Sequence, residues 1–219
     1  MSAALPLAVL ISGRGSNMAA IAHACGRGQI AARIVSVIAD RHDAGGIAVA
    51  QSLGLKVSVV AYADFANREA FENALGAVID ASGARLVVLA GFMRILSPQF
   101  AQRYAGAILN IHPALLPKFP GLHTHERALA AQETMHGASV HFVTGELDAG
   151  PLVIQAQVPL QHEDTAERLS ARVQRQEHII YPKVVGWIAE NRLRLVGDVV
   201  YFDGRPLAQP LIEAPGDPP

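Results

Sequence analysis

The sequence is poor in the features that mark secreted, disulfide-bonded or membrane proteins. It has a single cysteine, Cys25, so no intrachain disulfide can form, and a lone thiol fits a reducing compartment. No apolar run approaches the ~20 residues that a membrane-spanning helix needs. The apolar stretch 5–11 is too short for a secretory signal and has no basic segment before it. We therefore expect a cytoplasmic protein with no membrane partner.

An excess of charge of one sign is also missing. Lys and Arg number 18 against 19 Asp and Glu, which gives a formal net charge of −1 without any block of like charges. Nucleic-acid-binding proteins usually present a basic stripe, so nucleic acid is not an expected partner. A few local groups can still hold an acidic small molecule. Hydrophobic residues make up 51% of the chain, which argues against a disordered protein.

Short apolar runs alternate with helical stretches through the first half of the chain. Apolar strands covered by helices on both faces indicate an α/β fold with a doubly wound, mostly parallel sheet. The predicted strands are residues 7–12, 33–39, 56–60, 86–90 and 107–111, and the predicted helices are residues 17–25, 46–53 and 64–81 and a helix from about residue 97.

The second half has a different pattern. Residues 139–143 and 153–158 read as antiparallel strands added at an edge of the sheet, on either side of a turn at residues 146–151. A single domain is expected over residues 1–206, and the proline-rich segment 207–219 is predicted to be a flexible tail. Helices are also predicted at residues 123–132 and 165–189, with a last strand at residues 198–202.

A glycine-rich turn, residues 13–17 (GRGSN), follows the first predicted strand and opens a helix. Glycines let the backbone approach a ligand closely, and the free N–H groups and helix dipole attract an anion. A dinucleotide fingerprint requires a third glycine where Met18 stands. A single phosphate held by Gly15, Ser16 and Asn17 therefore fits better than a pyrophosphate. A capped helix without any ligand gives the same local pattern, so the turn alone leaves both interpretations open.

Asn110 and His112 lie at the carboxyl end of a predicted strand, the edge at which open α/β sheets bind ligands. Residues two apart on a strand share a face, so an amide and an imidazole together could stabilise an oxyanion. Asp148 stands in a predicted loop, from which its carboxylate could reach His112 and stabilise its protonated form. A structural histidine, a turn aspartate and a capping asparagine remain alternatives on these residues alone.

Seven motifs, in order between about residues 7 and 203, together resemble the phosphoribosylglycinamide formyltransferase family. The motifs are residues 11–17 (ISGRGSN), 89–96 (LAGFMRIL), 110–117 (NIHPALLP), 121–125 (GLHTH), 137–142 (GASVHF), 148–151 (DAGP) and 172–178 (RVQRQEH). Their joint occurrence is specific, although the first motif alone is not. One departure is Arg14, where the family often has a small or neutral polar residue.

The resemblance implies a reaction in purine (IMP) synthesis. The amine of glycinamide ribonucleotide attacks the formyl carbon of 10-formyltetrahydrofolate, and the tetrahedral intermediate carries an oxyanion. Asn110 and protonated His112 would stabilise that oxyanion, and Asp148 would tune His112 and help to move protons. The folate is then a co-substrate, with no tightly bound cofactor and no metal. Whether the chain is a monomer or a homodimer stays open.

The resemblance also implies two groups of binding residues, with the nucleotide in the N-terminal half and the folate and catalytic loop in the C-terminal half. The nucleotide residues would be Gly15, Ser16 and Asn17 for the phosphate and Glu177 for the ribose or glycinamide end. The folate residues would be Arg68, Met93, Arg94, Ile95, Leu96 and Asn110. Arg68 alone also reads as a solvated helix residue. The roles of Lys118, His123, His125 and His141 are left open, and no clustered carboxylate or cysteine supports a metal site at the two histidines of the GLHTH motif.

Three other functions are compatible with parts of the pattern. Methionyl-tRNA formyltransferases share the Asn/His/Asp set but normally add a C-terminal domain and a basic RNA-facing surface. Formyltetrahydrofolate hydrolases usually add an N-terminal regulatory domain and have no reason to keep a phosphate turn. A non-catalytic nucleotide-binding module would need the turn but not Asn110, His112 and Asp148 together, and fold alone does not decide among these functions.

Overall fold

The computed structural model describes residues 3–213, whose strands form a central eight-stranded sheet and a small three-stranded sheet. The strands are β1 (Leu5–Ile11), β2 (Ala32–Ala39), β3 (Val57–Val59), β4 (Leu86–Leu89), β5 (Ile108–His112), β6 (Met135–Phe142), β7 (Leu152–Pro159), β8 (Leu193–Val196), β9 (Val199–Phe202), β10 (Arg205–Pro206) and β11 (Leu211–Glu213). The helices are α1 (Ser16–Gly26), α2 (Gly46–Ser52), α3 (Arg68–Ser82), α4 (Pro98–Arg103), α5 (Thr124–Ala130) and α6 (Ala166–Ala189). None of these helices is long and apolar enough to cross a membrane.

The central sheet has the strand order β11-β7-β6-β5-β4-β1-β2-β3. Strands β1 to β5 pair in parallel, and all seven residues of β1 are buried. Successive side chains of β1 point to opposite faces: Leu7 joins the core beneath α1 and α6, whereas Leu10 joins the core beneath α3 and α4. The predicted α/β fold with a doubly wound, mostly parallel sheet is confirmed.

The antiparallel strands predicted at the edge are also present. Strand β6 pairs antiparallel with β5 and with β7. Part of the segment that was predicted as a flexible tail forms a strand, because Leu211–Glu213 pairs in parallel with β7. Leu211 packs against the core, and Glu213 accepts a 2.6 Å contact from Lys183 of α6. The proline content of this segment gave no sign that Leu211 packs against the core. Residues 214–219 lie outside the described part of the chain.

Other differences from the predictions lie at element boundaries. The predicted helix 64–81 begins at Arg68, because the side chain of Asn67 caps it by accepting from the N–H of Ala70; a short 3-10 helix, Tyr62–Asp64, precedes it. The predicted strand 198–202 is β9, but it lies in a separate sheet between β8 and β10, neither of which was predicted. Short amphipathic strands of this kind carry a weak sequence signal.

The carboxyl ends of β1, β4 and β5 lie side by side at one edge of the sheet, and the segments that leave them are tied together. The backbone N–H of Ser12 donates to the carbonyl of Gly91, and the Ser12 hydroxyl accepts from the N–H of Met93. From below, the buried hydroxyl of Tyr181 on α6 lies 2.9 and 3.0 Å from the carbonyls of Leu89 and Leu109. This edge therefore offers a fixed base for a site.

Candidate active site

Asn110, His112 and Asp148 converge at this edge, as the sequence predicted. The Nδ1 atom of His112 lies 3.4 Å from Oδ2 of Asp148, and the two side chains are only 6% and 7% exposed. A fourth residue, His141, joins them: its Nε2 is 3.1 Å from Nδ2 of Asn110 and 3.8 Å from Oδ1 of Asp148. The antiparallel register places Asn110 opposite His141, so the β5–β6 pairing brings them together.

The hydrogen-bond partners assign proton positions to the two imidazoles. The Nε2 of His112 donates to the carbonyl of Phe119 at 2.8 Å, while its Nδ1 faces a carboxylate. Both partners are acceptors only, so an imidazolium with two N–H groups satisfies both. His141 differs, because its Nδ1 donates to the Phe142 carbonyl and its Nε2 accepts from Asn110. Burial lowers the pKa of His141, which agrees with a neutral ring.

The second N–H of the Asn110 amide is the group that this arrangement leaves for a ligand. An asparagine amide carries two donors, and His141 takes one of them. Asn110 and His112 both line a cavity of about 400 Å³. An amide N–H donor and an imidazole ring are therefore presented to the same space, and donors aimed together in this way can stabilise a developing negative oxygen.

The loop that carries Asp148 has an unusual backbone. Asp148 adopts a φ of 52°, a left-handed conformation that Asp and Asn tolerate better than most residues. The backbone N–H of Gly121, from the segment between β5 and α5, donates to its Oδ2 at 2.8 Å. Its carboxylate is therefore held between a backbone N–H and the ring of His112.

The glycine-rich turn forms a second cluster with helix α6. Gly15 has a φ of 78° and precedes α1, and a Cβ atom there would lie 2.8 Å from the Cα of Gly46. The buried amide of Asn17 donates to Oε2 of Glu177 at 2.8 Å, and Oδ1 of Asn17 has no partner within residues 3–213. Burial raises the pKa of Glu177. The structure thus brings Gly15, Ser16, Asn17 and Glu177 together.

Gln174 belongs to this cluster, although sequence reasoning gave it no role. Its Nε2 donates to the hydroxyl of Ser16 at 3.1 Å, which leaves the Ser16 proton free for an acceptor. Gln174 precedes Glu177 by three residues, so both side chains lie on one face of α6. That spacing was the available signal, since two polar residues three apart on a long helix can share a ligand.

The segment from Gly91 to Ser97 follows β4 and forms one wall of the 400 Å³ cavity without regular secondary structure. Within residues 3–213 the backbone N–H groups of Arg94, Ile95 and Leu96 have no hydrogen-bond partner. The guanidinium of Arg94 turns to the buried Asp40, with Nε 2.7 Å from its Oδ2. The backbone of this wall is therefore free to bind a flat polar ligand.

Apolar side chains surround the mouth of the same cavity. Met93 is 64% exposed and Ile95 is 59% exposed, and Leu122 and Leu147 face them from the other loops. Leu96 lines a smaller cavity of about 80 Å³ beside it, which Asn110 and Asp148 also line. An aromatic ligand would bury this apolar rim while its polar edge meets the free backbone groups.

Arg68 is the predicted folate residue that lines neither the 400 Å³ cavity nor the smaller one beside it. It stands at the start of α3 and lines a separate cavity of about 480 Å³ with Ser97 and Arg103. Ser97 follows Leu96 in the chain, so this separate cavity lies at the end of the 91–97 segment. His123 and His125 line the mouth of the main cavity, and within the described residues no three His, Cys, Asp or Glu side chains are grouped to hold a metal ion.

Known proteins with this arrangement agree with the predicted resemblance. The formyl transferase family model matches residues 5–185. Phosphoribosylglycinamide formyltransferase of Escherichia coli is 47% identical over 201 residues, which are 92% of this chain and 95% of that protein. The bovine trifunctional purine biosynthetic protein adenosine-3 is 41% identical over 189 residues, which are 86% of this chain and 19% of that longer protein.

A solved structure gives the same answer for the fold. Phosphoribosylglycinamide formyltransferase of Coxiella burnetii superposes with a TM-score of 0.92 at 48% identity, covering 95% of this chain and 99% of that one. The chain therefore belongs to the formyl transferase family, and within it to the phosphoribosylglycinamide formyltransferases.

Proposed function

We propose that this enzyme transfers the formyl group of 10-formyltetrahydrofolate to the amine of glycinamide ribonucleotide, giving formylglycinamide ribonucleotide and tetrahydrofolate in purine synthesis. The observation that carries the proposal is the convergence of Asn110, His112 and Asp148 on one cavity wall. A non-catalytic nucleotide-binding module would have no use for a buried imidazolium beside an amide donor. Both substrates are small molecules, and the folate acts as a co-substrate.

In the reaction the amine nitrogen attacks the formyl carbon, and the carbonyl oxygen becomes an oxyanion. The free N–H of Asn110 donates to that oxygen, and the positive charge of His112 stabilises it from the adjacent wall. Asp148 and the Phe119 carbonyl hold the imidazolium in place. The bond from the formyl carbon to N10 of the folate then breaks. The proton that the amine loses is matched by the proton that N10 gains, so the step needs no further reactant.

The nucleotide is proposed to bind at the turn that precedes α1. Its phosphate would accept from the backbone N–H groups of Gly15, Ser16 and Asn17 and from the Ser16 hydroxyl, at the positive end of an eleven-residue helix. Glu177 would contact the ribose or glycinamide end. The bond from Gln174 to Ser16 supports this assignment, because it occupies a lone pair of the hydroxyl and leaves the proton for a phosphate oxygen.

The folate is proposed to bind against the segment of Met93, Arg94, Ile95 and Leu96, with Asn110 at its reactive end. Its pterin would use the free backbone groups, and its aromatic linker would cover the exposed apolar rim. Arg68 would then meet the acidic end of the folate only if the ligand extends past Leu96 into the separate cavity. We propose a cytoplasmic location, because the single free cysteine fits a reducing compartment.

The direct test is to incubate the purified protein with both substrates and follow the folate absorbance. Formation of tetrahydrofolate that requires glycinamide ribonucleotide, together with a formylated nucleotide product, is the expected result. Formate release without the nucleotide would instead indicate a hydrolase. The His112→Ala variant, checked for correct folding, serves as the inactive control.

A further inference from the structure

The segment between β5 and α5 contacts both members of the His112–Asp148 pair. The carbonyl of Phe119 accepts from Nε2 of His112, and the N–H of Gly121 donates to Asp148, each at 2.8 Å. Two backbone groups two residues apart therefore fix the orientation of the imidazole on one side and the carboxylate on the other. The position of this short turn decides the geometry of the pair.

The turn adopts a backbone conformation that it does not favour by itself. Phe119 has a φ of 55°, Gly121 a φ of 77° and His123 a φ of 58°. A left-handed conformation is easy for glycine but costs free energy for a residue as bulky as phenylalanine. Such a conformation persists only where surrounding contacts enforce it.

Arg127, the fourth residue of α5, supplies these contacts. Its Nη1 donates to the carbonyl of Pro120 at 2.6 Å and to that of Leu122 at 3.3 Å. Its guanidinium carbon lies 5.4 Å from the centre of the Phe119 ring. Within residues 3–213 no carboxylate pairs with Arg127, so its fixed fork of donors is directed at the carbonyls of this turn.

We propose that Arg127 is a positioning residue for formyl transfer: it holds the turn whose Phe119 carbonyl and Gly121 N–H orient His112 and Asp148. This inference rests on the proposed function. Arg127 is exposed and does not line the 400 Å³ cavity, so it touches neither the substrates nor the reacting atoms. Its effect should therefore fall on turnover and leave nucleotide binding unchanged, because the turn before α1 makes no contact with it.

The test replaces Arg127 by methionine, which keeps an aliphatic side chain and removes every donor. We expect kcat to fall about tenfold, the size expected for losing hydrogen bonds from a charged group, while KM for glycinamide ribonucleotide stays unchanged. The backbone amide of Gly121 should exchange with solvent faster by about the same factor. Amide exchange in α1 should match the parent protein, which separates this effect from general loosening of the fold.

Lys118→Met is the matched control, because Lys118 is a cation of the same segment that bonds Glu133 and no carbonyl of the turn. Its kcat should stay within about twofold of the parent, as for an exposed ion pair. Equal losses in the two variants would overturn the proposal, since they would point to charge alone. Parent-like kcat in Arg127→Met would also overturn it, but would leave the proposed function intact provided that His112→Ala is inactive.

A second variant covers the case in which Arg127→Met fails to fold. The shorter amide of Arg127→Gln reaches at most one of the two carbonyls, so kcat should again fall with an unchanged nucleotide KM. If that variant folds and keeps parent-like kcat and Gly121 exchange, the proposal is wrong.

Discussion

The nucleotide side and the catalytic side of the site are built by different means. Gly15 stands on the turn between a fully buried strand and α1, Asn17 lies in the first turn of α1, and α6 contacts Asn17 from the core. His112 ends a strand that is buried except at Asn110, but its partners Phe119 and Asp148 lie on two irregular loops. Packing therefore fixes the nucleotide side, whereas a few polar contacts fix the catalytic side.

The two sides also hold their buried carboxylates differently. Glu177 faces the neutral amide of Asn17, and burial raises its pKa. Asp148 faces the imidazolium of His112 and receives the N–H of Gly121. A carboxylate paired with a cation and a donor keeps its charge at less cost than one paired with an amide. Substitutions that alter charge should therefore affect the two sides in different ways.

The largest effect is expected from His112→Ala, which removes the cation of the catalytic side. We expect kcat to fall at least ~10²-fold, because loss of a group that stabilises an oxyanion costs about 3 kcal/mol. The affinity for the nucleotide, measured by calorimetry, should change little because the turn before α1 is separate. Near-normal turnover in a correctly folded variant would remove His112 from the mechanism.

Asp148→Asn should have the next largest effect, because it alters charge and little else. Asparagine tolerates the positive φ of residue 148 and can still accept from Gly121, so the loop should persist. We expect kcat to fall about tenfold, since the anion that holds the His112 imidazolium is lost. Ring ¹⁵N shifts of His112 should differ between parent and variant, because its Nδ1 faces a carboxylate in one and an amide in the other. Unchanged shifts with retained activity would leave Asp148 as a turn residue.

Gly15→Ala tests the nucleotide side by crowding its backbone. The new Cβ atom would lie 2.8 Å from the Cα of Gly46. The alanine would also have to adopt the left-handed φ of 78° that Gly15 has. We expect KM for the nucleotide to rise about tenfold and stability to fall by ~1–2 kcal/mol, with KM for the folate nearly unchanged. Gly28→Ala is the control, because Gly28 has a similar φ of 68° with open space around it and lies at the far end of α1. Equal losses for both ligands would contradict the assignment of the turn.

The same contrast explains what the sequence could predict. The parallel strands, and their alternation with helices along the chain, follow from the apolar runs. The shared face of Asn110 and His112 follows from the period of two along β5. The place of His141 depends on the register between β5 and β6, which the residues of either strand alone do not specify. The loop pattern made Asp148 only a possible partner of His112, with a turn aspartate as the alternative, and the resemblance selected it as a site residue.

Contacts made by backbone groups were beyond reach of the sequence. The Phe119 carbonyl and the Gly121 N–H belong to a turn whose shape depends on Arg127. Any residue type carries these backbone groups, so the sequence does not indicate that they orient His112 and Asp148. Strand β11 was missed for a related reason: its pairing with β7 depends on an available sheet edge and on the burial of Leu211. The proline content of a segment does not indicate whether a neighbouring strand is available to pair with it.

The smallest expected effect concerns stability, and Glu177→Gln would show it. Burial raises the pKa of Glu177 from its ordinary 4.5, so the folded protein binds this proton more tightly than the unfolded chain does. The resulting stability is full below about pH 4.5 and is lost as the pH rises through the raised value. Glutamine resembles the protonated acid at every pH, and its carbonyl can still accept from Asn17.

Glu177→Gln should therefore unfold at higher urea concentration than the parent at neutral pH, by on the order of 1 kcal/mol, and the difference should vanish as the pH falls towards 4.5. Glu167→Gln on the same helix is the matched control with the opposite sign, because backbone and Thr165 hydrogen bonds lower the pKa of Glu167. Removing the negative charge of Glu167 should destabilise the protein slightly at neutral pH. If Glu177→Gln instead lowers stability at neutral pH, the bond from Asn17 to a charged carboxylate outweighs the cost of burial, and the two sides of the site hold their carboxylates alike.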